Sequence, residues 1–168
     1  MKTQSENVDC QPFCTPLLSW DIFLEGYHRR IALARDLQQL NEISHQNSWS
    51  VAWDLEDMLL KKEKVILVTD TSQTIAFASS NLLNMNGYLP SEVIGHSPRI
   101  FQGKQTDPEL KSVARNAISS SRPFKLSVVN YRKNGLLYHC RVEGYPVFNR
   151  KRDLVNFIAF ESIEESGY

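Results

Sequence analysis

Three long period-two segments near the end of the chain constrain its fold more than any other feature. "PFKLSVVNY" (123–131), "LLYHCRVEGYPVF" (136–148) and "LVNFIAFES" (154–162) are rich in β-branched and aromatic residues, and only "RKNG" and "NRKRD" separate them. Connections this short join antiparallel neighbours and leave no room for the crossover that parallel strands need. Upstream, "VILVTD" (65–70) and "TIAFAS" (74–79) read as a further hairpin around the turn composition "TDTSQ". The intervening "SNLLNMNGYLPSEVIG" mixes brief apolar pairs with Asn, Gly and Pro, as two or three helices of one or two turns would. A longer helix then runs to about Ser119, burying Leu110, Val113, Ala114 and Ile118. Thr106 and Glu109 form a capping-box pair for it, and Asp107-Pro108 offers a second way to start it. This order predicts an α+β fold, a five-stranded antiparallel sheet with short helices on one face.

The segment before the first hairpin has a different texture. Residues 1–19 are polar, contain Pro12 and Pro16 and show no periodicity, which marks a tail. From Trp20 to about His45, Phe23, Tyr27, Ile31, Leu37 and Leu40 recur near helical spacing and predict an amphipathic helix. A second helix is expected from about Ser50 to Lys62, with Trp53, Met58, Leu59 and Leu60 apolar and Asp54, Glu56 and Asp57 near its start. The chain is thus expected to divide into a tail (1–19), a helical extension (20–62) and the main domain (63–165).

Composition narrows the function classes. The 168 residues hold 19 basic and 19 acidic side chains, and the runs "KKEK" and "NRKR" are short, so no nucleic-acid footprint is expected. No stretch has the roughly 18 to 20 apolar residues that cross a bilayer, and the N-terminus lacks a secretory leader's apolar core. A cytoplasmic protein with no membrane association is expected. Cys10, Cys14 and Cys140 are an odd number in a chain without an evident leader, so no disulfide framework is expected, and the four scattered histidines do not complete a metal site with the C-x3-C pair. No nucleophile, base and acid can be placed together, so no enzymatic activity is expected.

Strand alternation then places polar residues on the inner sheet face. Asn130 shares a face with Phe124, Leu126 and Val128, Cys140 with Tyr138 and Val142, and Glu161 with Val155, Phe157 and Ala159. A buried amide or carboxyl needs partners. They come either from a ligand between sheet and helices or from water and loop amides at the sheet ends.

The loop "GHSPRIFQGKQTDPE" (95–109) and the strand sequence "NYRKNG" (130–135) carry a resemblance. From about Lys64 to Ser162 the chain resembles a PAS domain, and within that family the light-oxygen-voltage (LOV) branch, which binds flavin mononucleotide. LOV members carry a GxNCRFLQG loop, a "TDP" helix start, a helix Arg, NYRKDG, a second strand Asn and a Gln in the last strand. Gly95, Arg99, Gln102 and Gly103 stand at the matching loop positions. Arg115 stands in register with the helix Arg, and Asn130 with the first strand Asn. The resemblance implies that Arg99 and Arg115 pair with a phosphate and that Gln102 and Asn130 serve the rest of the ligand.

The departures fall on the photochemistry. Pro98 stands where the adduct-forming cysteine would be, Ser97 replaces the loop Asn, Cys140 the second strand Asn, and Glu161 the Gln. The resemblance therefore implies a PAS-type sensory or protein-interaction module that forms no thiol adduct. It would have no output domain of its own and would act through a signalling partner protein or a homodimer made by the N-terminal helices. Its pocket is either packed or holds a small-molecule ligand. A flavoprotein that keeps flavin mononucleotide and responds by photoreduction is the alternative, with Ser97, Pro98, Arg99, Gln102, Arg115, Asn130, Cys140 and Glu161 around the ligand. Haem would need an axial His inside the cavity, which neither His96 nor His139 supplies.

Overall fold

The computed structural model describes residues 17–164, with side chains from Leu24 onward, so the 1–16 part of the tail, with Cys10 and Cys14, lies outside the described residues. Five strands, β1 (Val65–Thr69), β2 (Ile75–Ala78), β3 (Phe124–Tyr131), β4 (Leu137–Phe148) and β5 (Leu154–Ile163), form one sheet in the order β2-β1-β5-β4-β3. Every neighbouring pair is antiparallel. The turns close as their side chains dictate. Asp70 Oδ1 accepts from the N–H groups of Ser72 and Thr74, both at 2.8 Å, and Asn149 Oδ1 accepts from those of Lys151 and Asp153 at 2.8 and 2.9 Å.

β1 is buried at all five positions, which accounts for its unbroken apolar run and means that both sheet faces are covered there. On the inner face Val65, Leu67 and Ile75 pack with Leu82 and Met85 of α2 (Leu82–Asn86), Val93 of α3 (Pro90–Val93) and Phe101 of a 3₁₀ turn (Pro98–Phe101). On the outer face Ile66, Val68, Ile158 and Phe160 pack with Leu33, Leu40, Trp49, Leu55 and Leu59. The short helices therefore keep to one face, as expected, and the helical extension supplies the cover for the other.

That extension differs in detail from the sequence pattern. Helix α1 spans Leu17–Gln46 and is divided between two compact units, one ending at Ile31 and the other beginning at Ala32. In the second unit its core-facing stripe is Leu33, Asp36, Leu37, Leu40 and Ile43, near i, i+3, i+4, i+7 spacing. Leu33 joins Leu37 and Leu40 on that stripe in place of Tyr27 and Ile31, and Tyr27 is 55% exposed. Asp36 is buried because its carboxylate accepts from the N–H and the Oγ–H of Ser80, both at 2.7 Å, tying α1 to the start of α2. The second helix expected over 50–62 is only a π-helical turn, Asp57–Lys61. Trp49 pairs with Asn149 and the Ser50 N–H donates to Phe148 O at 2.9 Å, so this stretch extends the end of β4 before it can coil. Of its apolar residues Leu55 and Leu59 reach the core, and Leu60 is exposed.

Helix α4 spans Pro108–Ser119 and starts by the second of the two routes. Asp107 Oδ1 accepts from the Glu109 N–H at 2.8 Å. Thr106 is not the cap, because its hydroxyl donates to Val129 O at 2.7 Å and accepts from the Gly103 N–H at 3.0 Å. No side chain of α4 is fully buried, and Val113, expected inside, is 50% exposed.

Candidate functional site

The exposure of α4 follows from what lies beneath it. A cavity of about 680 Å³ separates the inner sheet face from the Pro98–Phe101 turn and α4. The helix turns Lys111, Ala114, Arg115 and Ile118 toward it, one face at i, i+3, i+4, i+7 spacing, so this face bounds a space instead of filling a core. The apolar floor includes Leu67, Leu126, Val128, Val142, Phe157 and Ala159. Gly144 shapes that floor, since a Cβ there would lie 2.4 Å from the ring of Phe124.

The 95–109 loop turns a corner and also walls the cavity. Gly95 has φ +85°, a conformation that suits glycine, and its N–H donates to Ile75 O at 2.8 Å while Ile75 N–H donates to His96 O at 2.9 Å. These bonds hold the loop against the free edge of β2. Pro98 opens the 3₁₀ turn, and Ser97 Oγ accepts from the Arg99 N–H at 3.5 Å. At the far end, Gly103 lies against Tyr131, where a Cβ would come 2.4 Å from the ring, and the Gln105 N–H donates to the Tyr131 hydroxyl at 3.0 Å.

Ser97, Pro98, Arg99, Gln102, Arg115, Asn130 and Glu161 all line the cavity. Cys140 does not. It is wholly buried in the sheet's inner layer, and its thiol donates to Glu161 Oε2 at 3.7 Å. Burial and the neighbouring Glu161 push the thiol far above its ordinary pKa, so it stays protonated and is a poor nucleophile. Polar lining residues missed from the sequence include Thr69, Ser72, Gln73 and Lys111. Thr69 was legible as the next inward position after Val65 and Leu67. Lys111 lies four residues before Arg115 on the same helix face. Gln73 had no signal, because a turn residue has no periodicity.

Three polar atoms of the cavity lack protein partners. Thr69 Oγ1, Gln73 Nε2 and Asn130 Oδ1 are buried without a hydrogen bond, and each belongs to a lining residue. An unsatisfied buried group costs about 1 to 3 kcal/mol, so their convergence on one cavity points to a guest that satisfies them. Arg99 and Arg115 are exposed at the rim with Lys111 nearby, and none of the three makes an ion pair among the described residues. The rim is therefore cationic and the floor apolar.

Glu161 is the one carboxyl among the described lining residues. It is 5% exposed and sits in register between Val65 of β1 and Val142 of β4. Burial pushes its pKa up to about 7, against a smaller lowering by the Cys140 hydrogen bond. Behind it, Tyr138 takes a hydrogen bond from Asn86 Nδ2 at 3.5 Å, and the Arg132 guanidinium lies 5.2 Å from the centre of its ring. Among the described residues no His, Cys, Asp or Glu group is placed to hold a metal, and no helix is long and apolar enough to cross a membrane.

Comparison with known proteins bears on the family and the fold. The family model described as PAS domain matches residues 63–162. Phototropin-2 of Oryza sativa subsp. japonica is 30% identical over 128 residues, covering 74% of this chain and 14% of that protein. A blue-light-activated histidine kinase of Brucella abortus (strain 2308) is 33% identical over 85 residues, covering 51% of this chain and 17% of the kinase. The chain thus spans a small part of these relatives. Among solved structures, the dark state of the blue-light photoreceptor Aureochrome1 LOV has a TM-score of 0.62 at 25% identity, covering 70% of this chain and 87% of the other. The PAS domain of the fruit-fly ELK potassium channel, at 21% identity, shares the fold with a TM-score of 0.59 and coverage of 67% and 98%.

Proposed function

The chain belongs to the PAS domain family, and from that premise we propose that it is a sensory module whose cavity holds an aromatic ligand with an anionic tail, flavin mononucleotide being the ligand its walls suit. The observation that carries this reading is the set of orphaned buried atoms, Thr69 Oγ1, Gln73 Nε2 and Asn130 Oδ1, around one cavity. Together they offer acceptors and a donor to a ring that carries both kinds of group. The unpaired Arg99, Lys111 and Arg115 at the rim suit a phosphate. An apolar floor with a few convergent polar groups is the usual form of a small-molecule site. Bound flavin would supply light absorption and electron-accepting chemistry. Pro98 at the turn leaves no thiol there to form an adduct, and buried, protonated Cys140 does not replace it.

In this reading residues 63–165 are the sensory domain and 20–62 the flanking extension through which its state reaches a dimer partner or another protein. Asp36 is the link, because its bonds to Ser80 join α1 to the helices that wall the inner face.

The test is the absorption spectrum of the purified protein, followed by titration with flavin mononucleotide. Flavin bands, and a Kd raised about 10-fold or more by Arg99→Ala or Arg115→Ala but unchanged by Lys151→Ala, are the expected result, since a hydrogen bond to a charged group is worth about 1.5–3 kcal/mol. Equal effects from all three substitutions would remove the site assignment. A colourless protein that rejects flavin would remove the ligand.

A further inference from the structure

We propose that ligand uptake in this cavity is proton-linked through Glu161, whose carboxyl enters the complex as the neutral acid and donates to an acceptor atom of the ligand's ring. The proposal rests on the ligand reading above and adds the residue that makes the site sensitive to pH.

The carboxyl has apolar neighbours on every side of its strand position. On the inner sheet face Glu161 lies between Val65 and Val142, with Ala159 and Ile163 two residues away along its own strand. Its Oε2 accepts from the Cys140 thiol, and among the described residues no other hydrogen bond reaches the carboxyl. Oε1 is therefore the atom left for a guest. The titratable groups facing it from β4 are Cys140 and Tyr138, both held in their neutral forms by burial. β1 presents only Val65, Leu67 and Thr69 on this side. Across the cavity, Arg99 of the 3₁₀ turn and Lys111 and Arg115 of α4 stand at the rim, and none of them pairs with Glu161. An ionised Glu161 thus has no compensating charge among the described residues. The open cavity is its remaining access to solvent, and a ligand that fills the space closes that access. Filling the cavity must disfavour the charged form further, because a buried charge without a partner is costly. Burial already holds the free carboxyl near neutrality, so the proton is taken up in the ordinary working range.

The experiment uses the full chain and two probes, flavin mononucleotide and riboflavin. Riboflavin has no phosphate, so it removes the phosphate's own titration near pH 6 from the comparison. Kd is measured by quenching of flavin fluorescence between pH 5.5 and 8.5 for the wild-type protein and for Glu161→Gln, whose amide can donate at every pH. For the wild type, Kd should be constant at the acid end and rise toward 10-fold per pH unit above about 7, the slope for uptake of one proton. The variant should show no such rise. Calorimetry of riboflavin binding to the wild type at pH 7.5, in two buffers of different ionisation enthalpy, should show uptake of about three-quarters of a proton, and this measurement stands even where the variant fails to fold. Binding with the same pH profile in both proteins, or with no proton uptake by the wild type, overturns the proposal and leaves the ligand reading intact. Failure of both probes to bind at every pH overturns the ligand reading and the proposal with it.

Discussion

Glu161 shows how one side chain sets a pH dependence before any ligand arrives. Its folded pKa of about 7 lies above the ordinary 4.5, so the folded state holds a proton that the unfolded chain has released. Stability contributed by that proton is present below pH 4.5 and is lost as pH rises through 7. The span corresponds to about 3 kcal/mol, since each tenfold change in proton affinity is worth about 1.4 kcal/mol. Glu161→Gln should therefore stabilise the ligand-free protein at pH 8 and change it little at pH 4.5, which urea titrations at the two values would show. At Gly144 the constraint is steric. Gly144→Ala brings a methyl into the Phe124 ring, and overpacking of this kind costs roughly 1–3 kcal/mol. A lower melting temperature with weakened flavin binding is expected, and an unchanged affinity would mean that Phe124 has no part in the cavity floor. The inward positions of Asn130, Cys140 and Glu161 were legible from period two alone. That Cys140 sits behind the cavity wall was not, because alternation assigns a face and says nothing about which residue covers it.

At the scale of elements, the strands, their turns and the extents of α1 and α4 were written locally, and the contacts of the helices were not. α1 has an apolar stripe from Leu33 to Ile43, but tertiary contact with the outer sheet face decides where that stripe begins. Leu40 is completely buried there. Leu40→Ala should cost about 2–5 kcal/mol, readable as a shift of the urea midpoint, whereas Tyr27→Ala on the exposed part of the helix should cost little. α4 offers a sharper division. Asp107→Ala should cost about 1 kcal/mol as the loss of an N-cap. Thr106→Val should keep α4 but release the loop from Val129 of β3, so that its effect falls on flavin affinity more than on helix content. Both caps are present in the sequence. Only the position of β3 beside the loop decided between them, because the Thr106 hydroxyl finds a strand carbonyl within reach.

For the whole molecule, two opposed carboxyl effects predict a stability optimum near pH 5. Glu143, on the opposite parity of β4 from Cys140 and Val142, is held down to about pH 2 by hydrogen bonds from Lys64 and Lys125, at 2.7 and 2.9 Å. Its contribution is present above its ordinary pKa and is lost as pH falls from about 4.5 toward 2. Glu161 and Asp36 are both raised by burial and act in the other direction as pH rises. Melting temperatures between pH 3 and 9 should peak near 5, and a plateau extending unbroken to pH 8 would contradict the burial of Glu161. Sequence by itself determined the antiparallel sheet, its hairpin turns and the set of polar residues turned inward, because β-structure repeats every two residues and turns are written in a few side chains. Tertiary structure decided that α4 stands off from the sheet to leave a cavity. It also left Thr69 and Gln73 without partners and stranded the Glu161 carboxyl among apolar neighbours, since all three depend on groups brought together from distant parts of the chain.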